Sequence, residues 1–292
     1  MNEVGLLENR GDRFIEDVAR RLIEKGLRVE YMGFRHVEMP IQCDCRIIID
    51  RLSFQDDFLR TMLKNFSLKG TYVINNPFTN ICDDKITEYT ICRKMGIPHP
   101  RTIIMPKINE ESEAVKMPDF DEFKITFPVV LKPYRGYAWQ NVFVINDLEE
   151  LKKIYYENCR KDLYILQDLI KYKTYYRVYA FSFSEPLFVR YFPNEKKYVV
   201  SDYSDIKDIY DKIKTYTMQL NKALDYDFNS LEWAIDENSQ PYLIDAFNET
   251  PDILPWEIPQ EYYRKIIENF CLIVERIYPT DESNRLPFNL PA

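Results

Sequence analysis

The sequence predicts a mixed α/β (α+β) protein of two or three lobes, on three observations. The first part of the chain alternates short apolar runs with amphipathic helical patterns, as an open α/β sheet does. FPVVLK at 127–132 is a strong strand that returns at 142–145 and leads into a helix. Near the far end, LEWAIDENSQPYLIDAFNETPD at 231–252 reads as two strands joined by the polar turn Asp236-Glu237-Asn238-Ser239-Gln240. At 292 residues and 46% apolar, the chain can bury more than one core.

Taken in order, Val4 to Leu7 fits a short buried strand. Asp12 opens a helix with an apolar face of Phe14, Ile15, Val18, Ala19, Leu22 and Ile23, and Gly26 ends it. Further strands are predicted at 28–31, 46–49 and 71–74, with a helix at 54–65. In such sheets ligands sit beyond the carboxyl ends of the strands. Those ends carry Glu8-Asn9-Arg10 with Arg13, Asp50-Arg51, and Asn75-Asn76. Arg10, Arg13 and Arg51 are therefore candidates to bind an anionic substrate, against the plainer reading that they are solvated loop charges.

Asn75-Asn76-Pro77 breaks the sheet, and Asp83 can cap a helix over 84–95 that Gly96 stops. Lys85 in its first turn opposes the helix dipole, which a nearby anion would explain. A strand at 101–105 precedes an acidic, irregular stretch at 106–124. Val130 and Lys132 share a face of the next strand, whose loop at 134–141 holds Gly136. Asn146 or Asp147, with Glu149 or Glu150 three residues on, makes a capping box for a helix. Tyr164 to Ile170 is a strand whose backbone could pair with an adenine edge. Residues 177–184 and 187–192 form an antiparallel pair turned at Glu185-Pro186, with Arg177 and Arg190 on it. The tyrosines of this region, Tyr172, Tyr175, Tyr176, Tyr179, Tyr191, Tyr198 and Tyr203, are expected to pack the sheet. A helix at 205–224, the two acidic strands and a last amphipathic helix from Pro259 to Tyr278 complete the chain. That last helix could dock on its own core or on a second copy, which leaves a homodimer open.

A net charge of −8 argues against a broad nucleic-acid surface. No apolar run approaches the roughly 20 residues of a membrane span. Six Cys with no CxxC pair, two His and no signal-like N-terminus fit a cytoplasmic protein with reduced thiols. Cys43-Asp44-Cys45 lacks the second pair that a soft-metal site needs. There is no Walker A motif and no GxGxxG.

Several pieces fall in a particular order: NNPFTNICDDK, GIPHPRT, FPVVLKPYRG, YILQDLI, YYRVYAF, LEWAID and YLIDAFNETPD. Over about residues 70–255 this set resembles the ATP-grasp superfamily, nearest to its RimK-like protein-glutamate ligases and glutathione synthetases. The resemblance implies an N-terminal α/β domain at 1–82, a small central lobe at 83–163 and a metal-bearing lobe at 164–292. It also implies that Lys85 and Lys132 hold the phosphates of ATP, with Gly136 in the loop above them. Gln167, Asp168, Leu169 and Ile170 resemble the hinge that reads adenine. Arg177 matches the arginine that faces the phosphoryl group, and Arg190 is a looser counterpart. Glu232, Asp245 and Asn248 resemble the Mg²⁺ ligands, oxygen donors of the type a hard cation takes.

The chain departs from the pattern in three places. The loop over the phosphates has one glycine where several are usual. Asp245 and Asn248 are separated by two residues, Ala246 and Phe247, so a flat strand would turn them to opposite faces. Tyr175-Tyr176 replaces the acid usually found before the post-hinge arginine. The implied activity is an ATP-dependent carboxylate–amine ligase working through an acyl phosphate, with small-molecule or peptide substrates. Phosphoryl transfer needs positioning and charge neutralisation rather than a protein nucleophile, and none is evident. The rival readings are a phosphotransferase of the same fold and a non-catalytic nucleotide-binding protein.

Overall fold

The computed structural model describes residues 3–9, 11–39, 41–81, 84–109, 114–136 and 140–287. Arg10, Cys82, Asp83 and loop residues 137–139 lie outside them. The chain divides into two compact units. One comprises Met1–Asn80, Tyr175–Leu231 and Asn248–Ala292; the other comprises Ile81–Thr174 and Glu232–Phe247.

The first unit opens with a parallel sheet ordered β2-β1-β3-β4, from β1 (Val4–Leu7), β2 (Val29–Tyr31), β3 (Ile47–Asp50) and β4 (Tyr72–Ile74). Helix α1 (Arg13–Glu24) begins where Asp12 accepts the amides of Phe14 and Ile15 at 2.9 and 3.3 Å. Its buried face is Phe14, Ile15, Val18, Ala19 and Leu22. Ile23, expected on that face, is 56% exposed, because one further 100° step carries it past the stripe into solvent. Gly26, at φ +90°, takes the left-handed turn after the helix. Helix α2 (Asp57–Leu68) starts three residues later than the apolar pattern suggested. Ser53–Gln55 forms a separate 3₁₀ turn, and Asp56 caps the helix proper.

The same unit holds β9 (Thr174–Phe181, entering it at Tyr175), β10 (Ser184–Phe192) and β11 (Lys197–Val199), all antiparallel. The β9–β10 turn falls at Ser182-Phe183 rather than at Glu185-Pro186. Pro186 sits inside β10 where the register shifts between Ser184 and Leu187, a position that needs no amide donor. Helix α5 is Tyr210–Leu224; the residues before it, expected to be helical from Asp205, form only a 3₁₀ turn at Ser204–Ile206. Helix α6 (Gln260–Ile277) packs on α1, with Phe270 edge-on to Phe14 at 5.4 Å and Tyr263 bonded to Asp17 at 2.8 Å.

The second unit carries the sheet β5-β8-β6-β7, formed by β5 (Thr102–Met105), β6 (Val129–Pro133), β7 (Phe143–Ile145) and β8 (Tyr164–Asp168). Helix α3 (Lys85–Lys94) is capped by Asp84 through bonds from the amides of Ile86 and Thr87. Helix α4 (Leu148–Asn158) has the predicted capping box: Asp147 accepts the amide of Glu150, and Glu150 accepts that of Asn146, both at 2.8 Å. Met105, Leu131, Leu151, Tyr155 and Leu166 form the core of this lobe. Strands β12 (Phe228–Ile235) and β13 (Pro241–Asn248) flank the predicted turn. Among the described residues no helix is long and apolar enough to cross a membrane.

Candidate active site

In the second unit, Lys85, Glu88 and Tyr89 stand at i, i+3 and i+4 on α3 and so share one face. Lys85, 7% exposed, reaches Asp245 of β13 with Nζ 3.1 Å from Oδ1. Glu88, fully buried, accepts the amide of Ala246 at 3.2 Å, and Tyr89 donates to the carbonyl of Ile244 at 2.5 Å. Three successive residues of β13 are thus held by one face of α3. Lys132, from β6, donates to the Tyr89 hydroxyl at 3.3 Å and lies over its ring, 5.7 Å from the centroid. Burial, and then the neighbouring ammonium of Lys85, push the Lys132 ammonium down to about 8, against the pull of Asp245, Glu88 and Glu232. Lys85, Lys132, Asp245 and Glu232 therefore form one charged cluster. Two ammonium groups thus lie among three carboxylates, those of Asp245, Glu88 and Glu232.

Asp245 is a quarter exposed and Glu232 is 9% exposed. Both supply hard oxygens of the type Mg²⁺ accepts. Mg²⁺ needs only one or two carboxylates when substrate phosphates complete its shell, so the donor chemistry fits. Among the described residues no three His, Cys, Asp or Glu side chains make a protein-only metal cluster, at Cys43-Asp44-Cys45 or elsewhere. Alternation of burial lapses in β13: Asp245 and Asn248 are half-buried while Ala246 and Phe247 are buried.

The hinge segment divides. Gln167 is paired on both sides within its sheet, with Thr102 and Val130, and its side chain bonds Thr102 at 2.8 Å. The Asp168 amide donates to Arg101. Leu169 and Ile170 lie beyond the end of β8, outside the ladder. At Gly136 an added Cβ would meet only Pro133, at 3.8 Å, so its local backbone does not demand glycine.

In the first unit, Asn248 accepts the amide of Thr250 at 3.2 Å and donates its own amide to Asn229 at 2.8 Å. Arg177 donates to the Tyr198 hydroxyl at 2.6 Å, with its guanidinium 4.9 Å from the Tyr191 ring centroid and 5.6 Å from that of Tyr198. Arg190 pairs with Asp205 at 2.8 Å, and Asp205 also accepts from Tyr176 at 2.6 Å. Tyr175, Tyr176, Tyr179, Tyr191 and Tyr198 are buried in the sheet as expected, whereas Tyr172, between β8 and β9, is 39% exposed and Tyr203 lies outside the strands.

The three substrate arginines separate. Arg10 lies outside the described residues. Arg13 is half-exposed and pairs with Glu16 on the surface of α1. Arg51 is buried, which rules out a solvated loop charge there. It bonds Asp12 twice, at 3.2 and 3.3 Å, and the carbonyl of Pro251 at 3.0 Å. Glu8 lies 3.8 Å away. Sequence reasoning missed Glu88 and Tyr89, although their spacing from Lys85 marks them. It also missed Glu8 and Asp12 as partners of Arg51, which only the sheet topology brings together.

No protein-family model matches the chain. The glutamate–LysW ligase ArgX of Sulfolobus acidocaldarius is 25% identical over 194 residues, covering 63% of this chain and 66% of its own length. The match thus spans just under two thirds of that relative. The D-alanine–D-alanine ligase of Bacillus anthracis complexed with ATP superposes with a TM-score of 0.69 at 15% identity, over 96% of this chain and 97% of that one. The ATP-grasp ligase PsnB, complexed with minimal precursor, Mg and ADP, gives 0.65 at 14% identity, over 95% and 98%. Agreement of this extent at such low identity is agreement of fold, and the chain has the ATP-grasp fold.

Proposed function

We propose that the protein is an ATP-dependent ligase that joins a carboxylate to an amine, releasing ADP. The observation that carries this reading is the cluster of Lys85, Lys132, Asp245 and Glu232 in one unit. Lys85 and Lys132 hold the phosphates and neutralise charge as the γ-phosphoryl moves to the carboxylate. Glu232, Asp245 and Asn248 would hold Mg²⁺, which supplies further neutralisation when bound. Asp245, freed from Lys85 by the incoming phosphates, is left to face the metal. Leu169 and Ile170, outside the β8 ladder, are the hinge positions with main-chain groups to offer adenine. Arg177, held against the stacked rings of Tyr191 and Tyr198, is the cation we assign to the transferred phosphoryl group, with Arg190 in support.

The phosphorylated carboxylate then carries a good leaving group, and the amine displaces phosphate without a protein nucleophile. The substrates are a small-molecule or peptide carboxylate and amine; in the ArgX relative they are glutamate and LysW. The division at 1–82, 83–163 and 164–292 stands as our proposed functional lobes, and a cytoplasmic location fits the free cysteines. A screen of carboxylate and amine pairs for Mg²⁺-dependent ADP release, with mass spectrometry of products, tests the reading. An amide product supports it; a phosphorylated substrate and no amide would make the protein a kinase instead.

A further inference from the structure

Cys43-Asp44-Cys45 lies in the first unit, on irregular chain leading into β3, and takes no part in the ligase chemistry. Its two thiols differ in access. Cys43 is partly exposed, whereas Cys45 is 7% exposed and packs with Leu7, Ile48, Leu63 and Phe66. Hydrogen bonds converge on the Cys43 sulfur. It accepts the thiol and the backbone amide of Cys45, so the chain already turns back on itself here. The Thr71 hydroxyl can donate to the same sulfur or to the Cys45 carbonyl, 3.1 Å away. Led by the Cys45 thiol, these donors outweigh burial and the charge of Asp44, and bring the Cys43 thiol down to about 7. The Cys45 thiol is raised, because it is the donor in that bond and is buried. The Cys45 sulfur also has a place made for it. A Cβ added at Gly5 of β1 would meet Met32 Sδ at 2.4 Å and Cys45 Sγ at 2.8 Å. Glycine weakens a strand interior, and here its missing side chain is the space that the sulfurs occupy.

We propose that Cys43 and Cys45 are a dithiol site that hydroperoxides oxidise to a disulfide, with Cys43 as the attacking thiol and Cys45 as the resolving one. The Cys43 thiolate attacks one oxygen of hydrogen peroxide. The O–O bond breaks, the other oxygen takes a proton and leaves as water, and Cys43 becomes a sulfenic acid. The Cys45 thiol, already in contact, gives up its proton as its sulfur attacks that of Cys43. The S–S bond forms, the S–O bond breaks and a second water leaves. Two thiols are thus oxidised by two electrons while the peroxide is reduced to water. Neither residue sits in a strand ladder, so closure breaks no pairing of β3. A dithiol reductant reverses the bond by thiol–disulfide exchange.

The test treats the reduced full chain with a small excess of hydrogen peroxide, blocks the remaining thiols with N-ethylmaleimide, and maps tryptic peptides without reduction. The peptide His36–Arg46 holds both cysteines and no other. Oxidised, it should carry no label, weigh two hydrogens less than the dithiol, and return to the dithiol with dithiothreitol. It should form at least about tenfold faster than any other cysteine is oxidised. In a Cys45→Ser variant the hydroxyl still donates to Cys43 but cannot resolve it, so a sulfenic acid should accumulate there and be trapped by dimedone. In a Cys43→Ser variant Cys45 should stay reduced at the same dose. Circular dichroism checks both folds, and the wild-type map needs neither variant. The proposal fails if the wild-type peptide keeps both thiols, if Cys43 pairs with another cysteine, or if Cys45 is oxidised as readily without Cys43. ADP release is no part of the readout, so the site stands or falls apart from the ligase reading.

Discussion

Replacing Asp227 by Asn should leave the protein's stability unchanged below about pH 4, raise it increasingly from there to about pH 7, and raise it by a constant amount above that. Asp227 is 4% exposed just before β12, where it accepts the Tyr72 hydroxyl at 3.1 Å. Its main chain is fixed by Asn75, whose side-chain oxygen accepts the amides of Asp227 and Phe228 at 2.7 and 2.8 Å. Burial is the first cause that pushes the carboxyl from 3.8 up to about 7; the charges of Asp225 and Glu282 add to it, and hydrogen bonds from Tyr72 and Ser182 pull the other way. The folded chain therefore holds this proton more tightly than the unfolded chain does. Below the unfolded value both forms are protonated and there is no penalty. Between about pH 4 and about pH 7 the penalty grows, and above that it is constant. At 1.36 kcal/mol per unit it reaches about 4 kcal/mol. An Asn side chain keeps an acceptor for Tyr72 and carries no charge. Urea denaturation at several pH values would show the variant and the wild type converging near pH 4. They should diverge by up to about 1.4 kcal/mol per pH unit before levelling off. A difference that does not vary with pH, or a variant less stable at pH 8, would refute the reasoning.

Lys132→Ala and Asp245→Ala should each lower ADP release by roughly a hundredfold or more with an unchanged circular dichroism spectrum; full activity would remove them from the phosphate and metal roles. Arg51→Ala leaves the carboxylates of Glu8 and Asp12 without their buried partner. It should cost about 3 kcal/mol in urea denaturation, and a loss below about 1 kcal/mol would show that the pair was not holding the loop. Cys43 should be alkylated by iodoacetamide with a midpoint near pH 7, because the Cys45 thiol hydrogen-bonds it and so lowers it to about 7. The same contact raises Cys45, so peptide mapping that finds Cys45 modified first would contradict this.

Much of the fold was legible because its local signals agree. Asp12, Asp147 and Gly26 cap or end their helices where the pattern places them, and period-two runs mark the strands. The errors fall where a local rule had two solutions. Pro186 reads as a turn residue, but a bulge can absorb it inside β10. Residues 54–56 carry helix-like apolar spacing, but Asp56 offers a better cap than Leu52 and splits off a 3₁₀ turn. Within the candidate site, Lys132 was legible as a face of its strand, and Lys85 as a cation in the wrong turn of a helix. The partners of Arg51 were not, because Glu8 and Asp12 meet it only once β1 and β3 lie side by side in parallel. No local pattern sets that adjacency, and with it the charge around Arg51 changes from basic to mixed.

In our proposal the charge cluster on α3, β6, β12 and β13 serves phosphoryl transfer to a carboxylate that an amine then captures. The most direct measurement uses a carboxylate labelled with ¹⁸O, ATP, Mg²⁺ and the amine that supports ADP release. One labelled oxygen should appear in the phosphate released with the amide. Release of ADP with all the label retained in the carboxylate or its amide would contradict the account.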